Sequence, residues 1–203
     1  MGARLQLLAA LLSWLPSVEP LGLRGGADSI AICLLSPAAN RDPQGVVRAV
    51  TPVADPTIFA RGTFEEIRLE RDGQVVWRLL SDGSNPIAGP LVWPLSPLRP
   101  GERLLLRLRP EGIGQDNFAN VELIGGSSAT LARSAQLRRS LGRDPAAWTR
   151  AVLSALDASR SAEALALLYD ARGPSSPRLN ALRLEIHNRA CDSTILGPDR
   201  SGP

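Results

Sequence analysis

Between about residue 28 and residue 125, apolar and polar side chains alternate along short segments that are separated by glycine, proline and other turn residues. An alternation with a period of two places successive side chains on opposite faces of a β-strand. The clearest case is the pair of segments 64–71 and 74–80, which are separated by Asp72 and Gly73. An Asp-Gly pair readily adopts the positive φ angles of a tight turn, so this pattern predicts a β-hairpin.

The side chains of this hairpin are expected to divide between a core face and a solvent face. The alternation places five apolar residues inward: Ile67, Leu69, Val75, Trp77 and Leu79. The charged residues of the first strand fall between them, on the opposite face.

Further strand-like segments accompany the hairpin, at residues 29–35, 46–53, 57–60, 91–93, 103–109 and 120–124. Many short strands with turn signals between them predict an antiparallel immunoglobulin-like β-sandwich over residues 28–125. The first of these segments is almost continuously apolar, which indicates that it is buried on both faces.

The pattern changes after residue 125, and residues 126–191 are predicted to form an α-helical region. A first helix is expected over residues 128–141. Asp144 and Pro145 are an N-cap residue followed by proline, which is typical of a helix start. Ser161 is expected to cap a third helix.

A fourth helix is predicted to begin at Ser176 and Pro177, which repeat the same signal. Its inward stripe would contain Leu179, Leu182, Ile186 and Ala190. Residues 192–203 are expected to form a disordered tail. The predicted fold class is therefore α+β, with an N-terminal antiparallel sandwich followed by C-terminal helical hairpins.

Residues 1–27 are predicted to be a signal peptide. Arg4 precedes an apolar run at residues 5–15, which ends at Pro16, and small residues ending at Ala27 place the cleavage directly after it. The run is shorter than the ~18–20 apolar residues of a membrane-spanning helix. The alternatives are an N-terminal core helix or an uncleaved segment that anchors the protein in a membrane.

Composition limits the choice of partner. All 23 basic residues are arginine, and the formal net charge is +3. A lysine-free chain rich in alanine, glycine and proline reflects a GC-rich coding bias, so the arginines are weak evidence for phosphate binding. The small net charge lacks the electrostatic footprint of a nucleic-acid-binding protein. We expect no nucleic-acid partner and no membrane span after signal cleavage.

The two cysteines, Cys33 and Cys191, stand near opposite ends of the patterned region. In an exported protein a single pair is more often bridged than free, so a disulfide is predicted. Closing so long a loop stabilises a fold by up to about 5 kcal/mol. Two buried, unpaired thiols are the alternative.

Candidate metal, nucleophile and phosphate sites are weak in this sequence. His187 and Cys191 have a spacing that can bind a metal, but His187 is the single histidine of the chain. Ser127 and Ser128 follow a glycine pair, yet a helix N-cap explains them equally well. The glycines of residues 112–114 precede a strand and not a helix, which indicates a turn. We predict no metal, no cofactor and no catalytic residue.

Charged side chains offer two more candidates. Glu65 with Glu66, or Asp116 with Glu122, would be the carboxylates of a glycoside hydrolase, although alternating charges usually mark the wet face of a strand. A cluster of arginines at a helix C-terminus, Arg138, Arg139 and Arg143, complements the helix dipole or binds an anion. Exposed strand edges and a helical-hairpin groove are the surfaces expected to bind partners.

Several segments together resemble a group of uncharacterised exported proteins known chiefly from cyanobacteria. The resemblance rests on residues 32–37 (Ile-Cys-Leu-Leu-Ser-Pro), Val76 with Trp77, the turn at residues 98–102 (Leu-Arg-Pro-Gly-Glu) and a late cysteine. It implies export, a sandwich followed by helices, and a disulfide between the first strand and the last helix. It implies no activity and no catalytic residues.

These observations lead to one main expectation and two alternatives. The main expectation is a periplasmic or secreted module of the cell envelope that binds a partner or supports structure, without enzymatic activity. The first alternative is an envelope glycan hydrolase that uses carboxylates, and the second is a membrane-anchored accessory protein.

Overall fold

The computed structural model describes residues 32–191. The predicted signal peptide at residues 1–27 and the predicted tail at residues 192–203 lie outside this range. Within it, eight strands precede four helices. The strands are β1 (Cys33–Ser36), β2 (Asn40–Arg41), β3 (Val47–Thr51), β4 (Phe59–Arg61), β5 (Phe64–Arg71), β6 (Gln74–Leu80), β7 (Arg103–Pro110) and β8 (Ala119–Gly125). The helices are α1 (Ser128–Leu141), α2 (Pro145–Asp157), α3 (Ser161–Leu168) and α4 (Pro177–Cys191).

The strands form a six-stranded sheet in the order β2-β3-β8-β7-β5-β6 and a two-stranded sheet of β1 and β4. Strands followed by helices confirm the predicted α+β class. The immunoglobulin-like sandwich is not confirmed, because β3 and β8 run parallel and the second sheet has only two described strands. Alternation predicts where strands occur but not which strands are neighbours in the sheet. Parallel strands need a long connection, which the chain between β3 and β8 provides.

The predicted hairpin is formed by β5 and β6, with φ angles of 50° at Asp72 and 77° at Gly73. The inward position predicted for Val75 is wrong. Leu69 pairs with Trp77 but Glu70 pairs with Val75, so a β-bulge leaves Val76 without an opposite residue. The extra residue reverses the alternation and turns Val75 toward the outer face.

The prediction of a strand at residues 91–93 is also wrong. Only Leu91 pairs, through a single bridge to Ile58. Pro90 and Pro94 flank this segment, and proline has no N–H to continue a ladder.

Strand β1 lies between two hydrophobic cores, as its continuous apolarity predicted. Ile32 and Leu34 pack with the six-stranded sheet, whereas Cys33 and Leu35 pack with the helices. The two-stranded sheet is therefore a middle layer. Residues of the strands and of the loops beside them form the first core, among them Leu69, Trp93, Leu106 and Leu123. The helices supply most of the second core, including Trp148, Val152, Leu168 and Leu179.

Of the caps predicted at Asp144, Ser161 and Ser176, the first and the last are confirmed. Asp144 caps α2 by accepting a hydrogen bond from Ala146 N at 2.9 Å, and Ser176 accepts one from Leu179 N at 3.2 Å. The prediction for Ser161 is wrong, because Arg160 occupies the N-cap position of α3 and makes no side-chain cap. In α4, the four residues of the predicted stripe are the buried ones.

Cys33 and Cys191 form a disulfide, with their Cα atoms 5.6 Å apart. The bond joins β1 in the middle layer to the last residue of α4. It therefore fastens the helices to the strands, as the sequence predicted.

Candidate binding edge and its charged face

Strand β6 is the outer strand of the six-stranded sheet and pairs only with β5 among the described strands. Three of its apolar side chains are exposed: Val75 (48%), Val76 (37%) and Leu80 (51%). The opposite edge is the two-residue strand β2, which is too short to offer a comparable ladder. Long exposed strand edges are templates for pairing with another chain, and natural proteins usually block them.

The backbone of β6 shows which amides face this open side. Ser81 N donates to Glu65 O of β5 at 2.9 Å. In an antiparallel ladder, alternate residues donate to the same neighbour. The amides of Arg78 and Leu80 alternate with that of Ser81, so they point away from β5. They are available to an added strand.

A lattice of glutamate and arginine side chains covers the outer face of the sheet beside this edge. Glu66 is only 3% exposed, and it accepts a hydrogen bond from Arg78 Nε at 2.7 Å. Arg109 Nη2 lies 3.3 Å from the same carboxylate. Burial alone would raise the pKa of Glu66, but the hydrogen bond from Arg78 and the charges of Arg68, Arg78 and Arg109 outweigh it and lower the pKa. This carboxylate is held ionised.

Phe118 lies among three arginines of this outer face. The guanidinium carbons of Arg68, Arg107 and Arg109 lie 4.0, 4.6 and 5.9 Å from the centre of its ring. A cation over an aromatic face is attracted by the ring quadrupole. The ring therefore fixes the arginines that surround Glu66 and Glu70.

A second surface is the groove between the middle layer and α4, with a volume of about 500 Å³. Phe59, Tyr169 and His187 line it, and Leu184 lies exposed at its side. The ring centres of Phe59 and Tyr169 are 4.7 Å apart. Phe59 of β4 forms one side of this groove, so the groove is not formed by helices alone. The binding role predicted for a helical-hairpin groove stays a prediction.

Three of the four carboxylates considered for hydrolysis, those of Glu65, Glu66 and Glu122, form ion pairs with arginine. Glu65 pairs with Arg109 and accepts a hydrogen bond from Gly112 N. Glu122 lies between two arginines, Arg48 at 2.7 Å and Arg103 at 2.9 Å. Asp116 is exposed in the loop before β8. A general acid needs a carboxyl group with a raised pKa, and the lowered pKa of Glu66 is the opposite of that requirement.

The residues considered for metal or nucleophile chemistry have structural roles. Cys191 is in the disulfide. His187 Nδ1 lies 3.4 Å from Asn188 Oδ1, and the ring centre of His187 lies 6.4 Å from that of Phe59. Within residues 32–191, no group of three or more His, Cys, Asp and Glu side chains is placed to bind a metal ion. Ser127 caps α1 by accepting from Thr130 N at 3.2 Å, while Ser128 is the first residue of that helix. The glycines of residues 112–114 lie in the turn between β7 and β8.

Of the clustered arginines Arg138, Arg139 and Arg143, Arg138 belongs to an ion-pair network that joins α1 to the loop between β3 and β4 and to the segment after α3. Arg138 pairs with Asp55 at 2.6 Å and with Asp170 at 2.7 Å. Arg172 pairs with Asp55 as well, at 2.6 Å. Burial raises the pKa of Asp170 despite the opposing charge of Arg138. Because its carboxylate partners occupy Arg138, this residue is not free to bind an anion.

Sequence reasoning missed this network and the role of Phe118. Asp55 and Arg138 are 83 positions apart, and no local pattern indicates that they meet.

Comparison with protein-family models, with curated proteins and with solved structures found no match. The resemblance to exported cyanobacterial proteins therefore stays a prediction. No helix in the described range is both long enough and apolar enough to cross a membrane.

Proposed function

We propose that this protein is an extracytoplasmic binding module without enzymatic activity, which takes up an extended segment of a partner protein along β6. The observation that supports this most directly is the open edge of β6, with exposed apolar side chains and two outward amides. Strand addition uses such amides for affinity and the flanking side chains for specificity.

Support for the compartment comes from the disulfide between Cys33 and Cys191. Disulfides persist in oxidising environments and are rare in the cytosol. The signal-like pattern of residues 1–27 points the same way. A periplasmic or secreted location accommodates both features.

A binding role fits the charged face better than hydrolysis does. The carboxylates of Glu65, Glu66 and Glu122 are each paired with arginine. The carboxylate oxygens of these residues bind arginine, whereas in a glycoside hydrolase they face the glycosidic bond or the attacking water. The membrane-anchored alternative is decided separately, by the mass of the mature N-terminus.

The test is a pulldown from the envelope fraction with three matched variants. Leu80→Lys places a charge on the β6 edge, and we expect it to abolish recovery of a specific partner. Val50→Lys is the control, because Val50 is similarly exposed (56%) but belongs to the interior strand β3. Leu184→Lys tests the groove beside α4.

Loss of the partner with Leu184→Lys alone would move the binding site to the groove. Recovery of no specific partner by the wild type, together with turnover of an envelope glycan, would contradict the proposal. Thermal unfolding of each variant shows that its fold is retained.

A further inference from the structure

We infer that the segment bound along β6 has an acidic residue opposite Arg78, between two apolar residues. This inference rests on the proposed function of β6 as a binding edge. An open strand edge can accept many extended segments, whereas Arg78 selects one with an acidic residue.

The charged side chains beside β6 carry an excess of positive charge. In the described lattice, Arg68, Arg78, Arg107 and Arg109 face the carboxylates of Glu65, Glu66 and Glu70. Four guanidinium groups therefore meet three carboxylates. Arg78 is the most exposed of the four, at 52%, and it lies on the open edge. The surplus positive charge of this group is nearest to solvent at Arg78, which keeps its hydrogen bond to Glu66, and complementary charge favours the association of a partner strand there.

The neighbours of Arg78 in β6 are apolar and lie on the other face of the sheet. Trp77 and Leu79 flank it in sequence and point to the opposite face of the sheet, where they pack partly against the core. Because strand side chains alternate, a neighbouring strand would place apolar residues beside Trp77 and Leu79 and its intervening residue beside Arg78. The complementary pattern is apolar, acidic, apolar.

A second copy of β6 is a poorer occupant of this edge than an acidic segment. Residues 74–80 contain no acidic side chain, and Arg78 is their only charge. Antiparallel pairing of two copies about Trp77 would place Arg78 opposite Val76, and pairing about Arg78 would oppose two positive charges. Like charges directly opposite each other destabilise a strand pair. A second copy therefore places no negative charge opposite Arg78, whereas an acidic segment does.

The test measures binding of a probe in which the segment Val-Thr-Val-Glu-Val-Thr-Val is fused through a glycine-serine linker to a soluble carrier protein. The matched probe has lysine in place of the central glutamate. We expect the glutamate probe to bind the full-length protein about three- to tenfold more tightly, given the strength of exposed charge pairs. Binding should also slow hydrogen exchange of the Arg78 and Leu80 amides.

Arg78→Gln removes the charge while leaving an amide that can donate to Glu66. We expect this variant to bind both probes equally, and Leu80→Lys to bind neither. If Arg78→Gln does not fold, the wild type at 1 M salt replaces it, because screening should then abolish the preference.

Three results would overturn the inference. Equal binding of both probes by the wild type would remove the acidic requirement and leave the binding edge intact. Binding of neither probe, while an envelope partner still depends on Leu80, would show a different partner chemistry at the same edge. Self-association of the wild type that Leu80→Lys abolishes would identify a second copy as the occupant.

Discussion

Tyr169 is the single tyrosine of the chain and lies at the C-terminal cap of α3. Its ring packs against Phe59, and its hydroxyl donates to Arg183 O at 3.2 Å. Burial raises its pKa to about 12, although the nearby charge of Arg183 acts in the opposite direction. The buried hydroxyl therefore stays neutral at a pH where an exposed tyrosine is ionised.

We predict that this pKa shift makes the fold less stable in alkali. The unfolded chain ionises near pH 10 and the folded chain near pH 12, so the contribution of Tyr169 is complete below pH 10 and is lost as the pH rises toward 12. Absorbance at 295 nm follows this one tyrosinate directly. Its midpoint should lie near 12 in the folded protein and near 10 in urea.

The control for this prediction is Tyr169→Phe. This variant should lose less of its free energy of unfolding than the wild type does between pH 9 and pH 11. A titration midpoint near 10 in the folded protein would show that the hydroxyl is open to solvent.

At the scale of elements, the starts of α2 and α3 differ in a way that a sequence motif does not reveal. Asp144 accepts a hydrogen bond from the first turn of α2. Ser161 is one position too far along to cap α3, and its buried Oγ has no hydrogen-bond partner among the described residues. The two polar side chains therefore contribute to stability in different ways.

We predict that Asp144→Ala lowers the free energy of unfolding by about 1 kcal/mol, because it removes a cap. Ser161→Ala is the matched comparison at the next helix, and it should be neutral or slightly stabilising, since it removes an unpaired buried hydroxyl. Urea unfolding of both variants measures the difference. Equal losses in the two variants would contradict the assignment of the caps.

Elements determined by nearby residues could be predicted from the sequence. Asp72 and Gly73 specify the turn of the hairpin, and the spacing of Leu179, Leu182 and Ile186 specifies the buried face of α4. Both signals lie within one turn or a few residues. Exposed strand edges were likewise expected as binding surfaces.

Features that depend on distant residues could not be predicted. The order of the strands, and so the identity of β6 as the open edge, is set by contacts between segments far apart in the chain. The parallel pairing of β3 with β8 and the bulge at Val76 have the same origin, because strand patterns specify faces but not partners. The ion pairs of Arg138 also join segments that are remote in sequence.

At the scale of the whole molecule, three layers are packed in series. The six-stranded sheet, the two-stranded sheet and the helices enclose two separate cores, and β1 contributes to both. Covalent and polar contacts connect the strands to the helices. The disulfide joins β1 to α4, the Arg138 network joins the loop between β3 and β4 to α1, and Arg61 of β4 donates a hydrogen bond to Cys191 O at 3.3 Å.

We predict that replacing both cysteines with alanine lowers the free energy of unfolding by about 3–5 kcal/mol, because 158 positions separate them and the unfolded chain gains much freedom. Urea unfolding of this variant and of the oxidised wild type measures the loss. The reduced wild type should behave like the variant. A difference below 1 kcal/mol would show that packing alone holds α4 in place.

The bond between Cys33 and Cys191 also makes most of the chain a covalent ring. A protease that cuts one peptide bond within this ring opens it without dividing the molecule, and the mass increases by only one water. The fragments separate after reduction, and not before. A clipped copy therefore remains a single molecule, with both of its cores still attached to the strand that separates them.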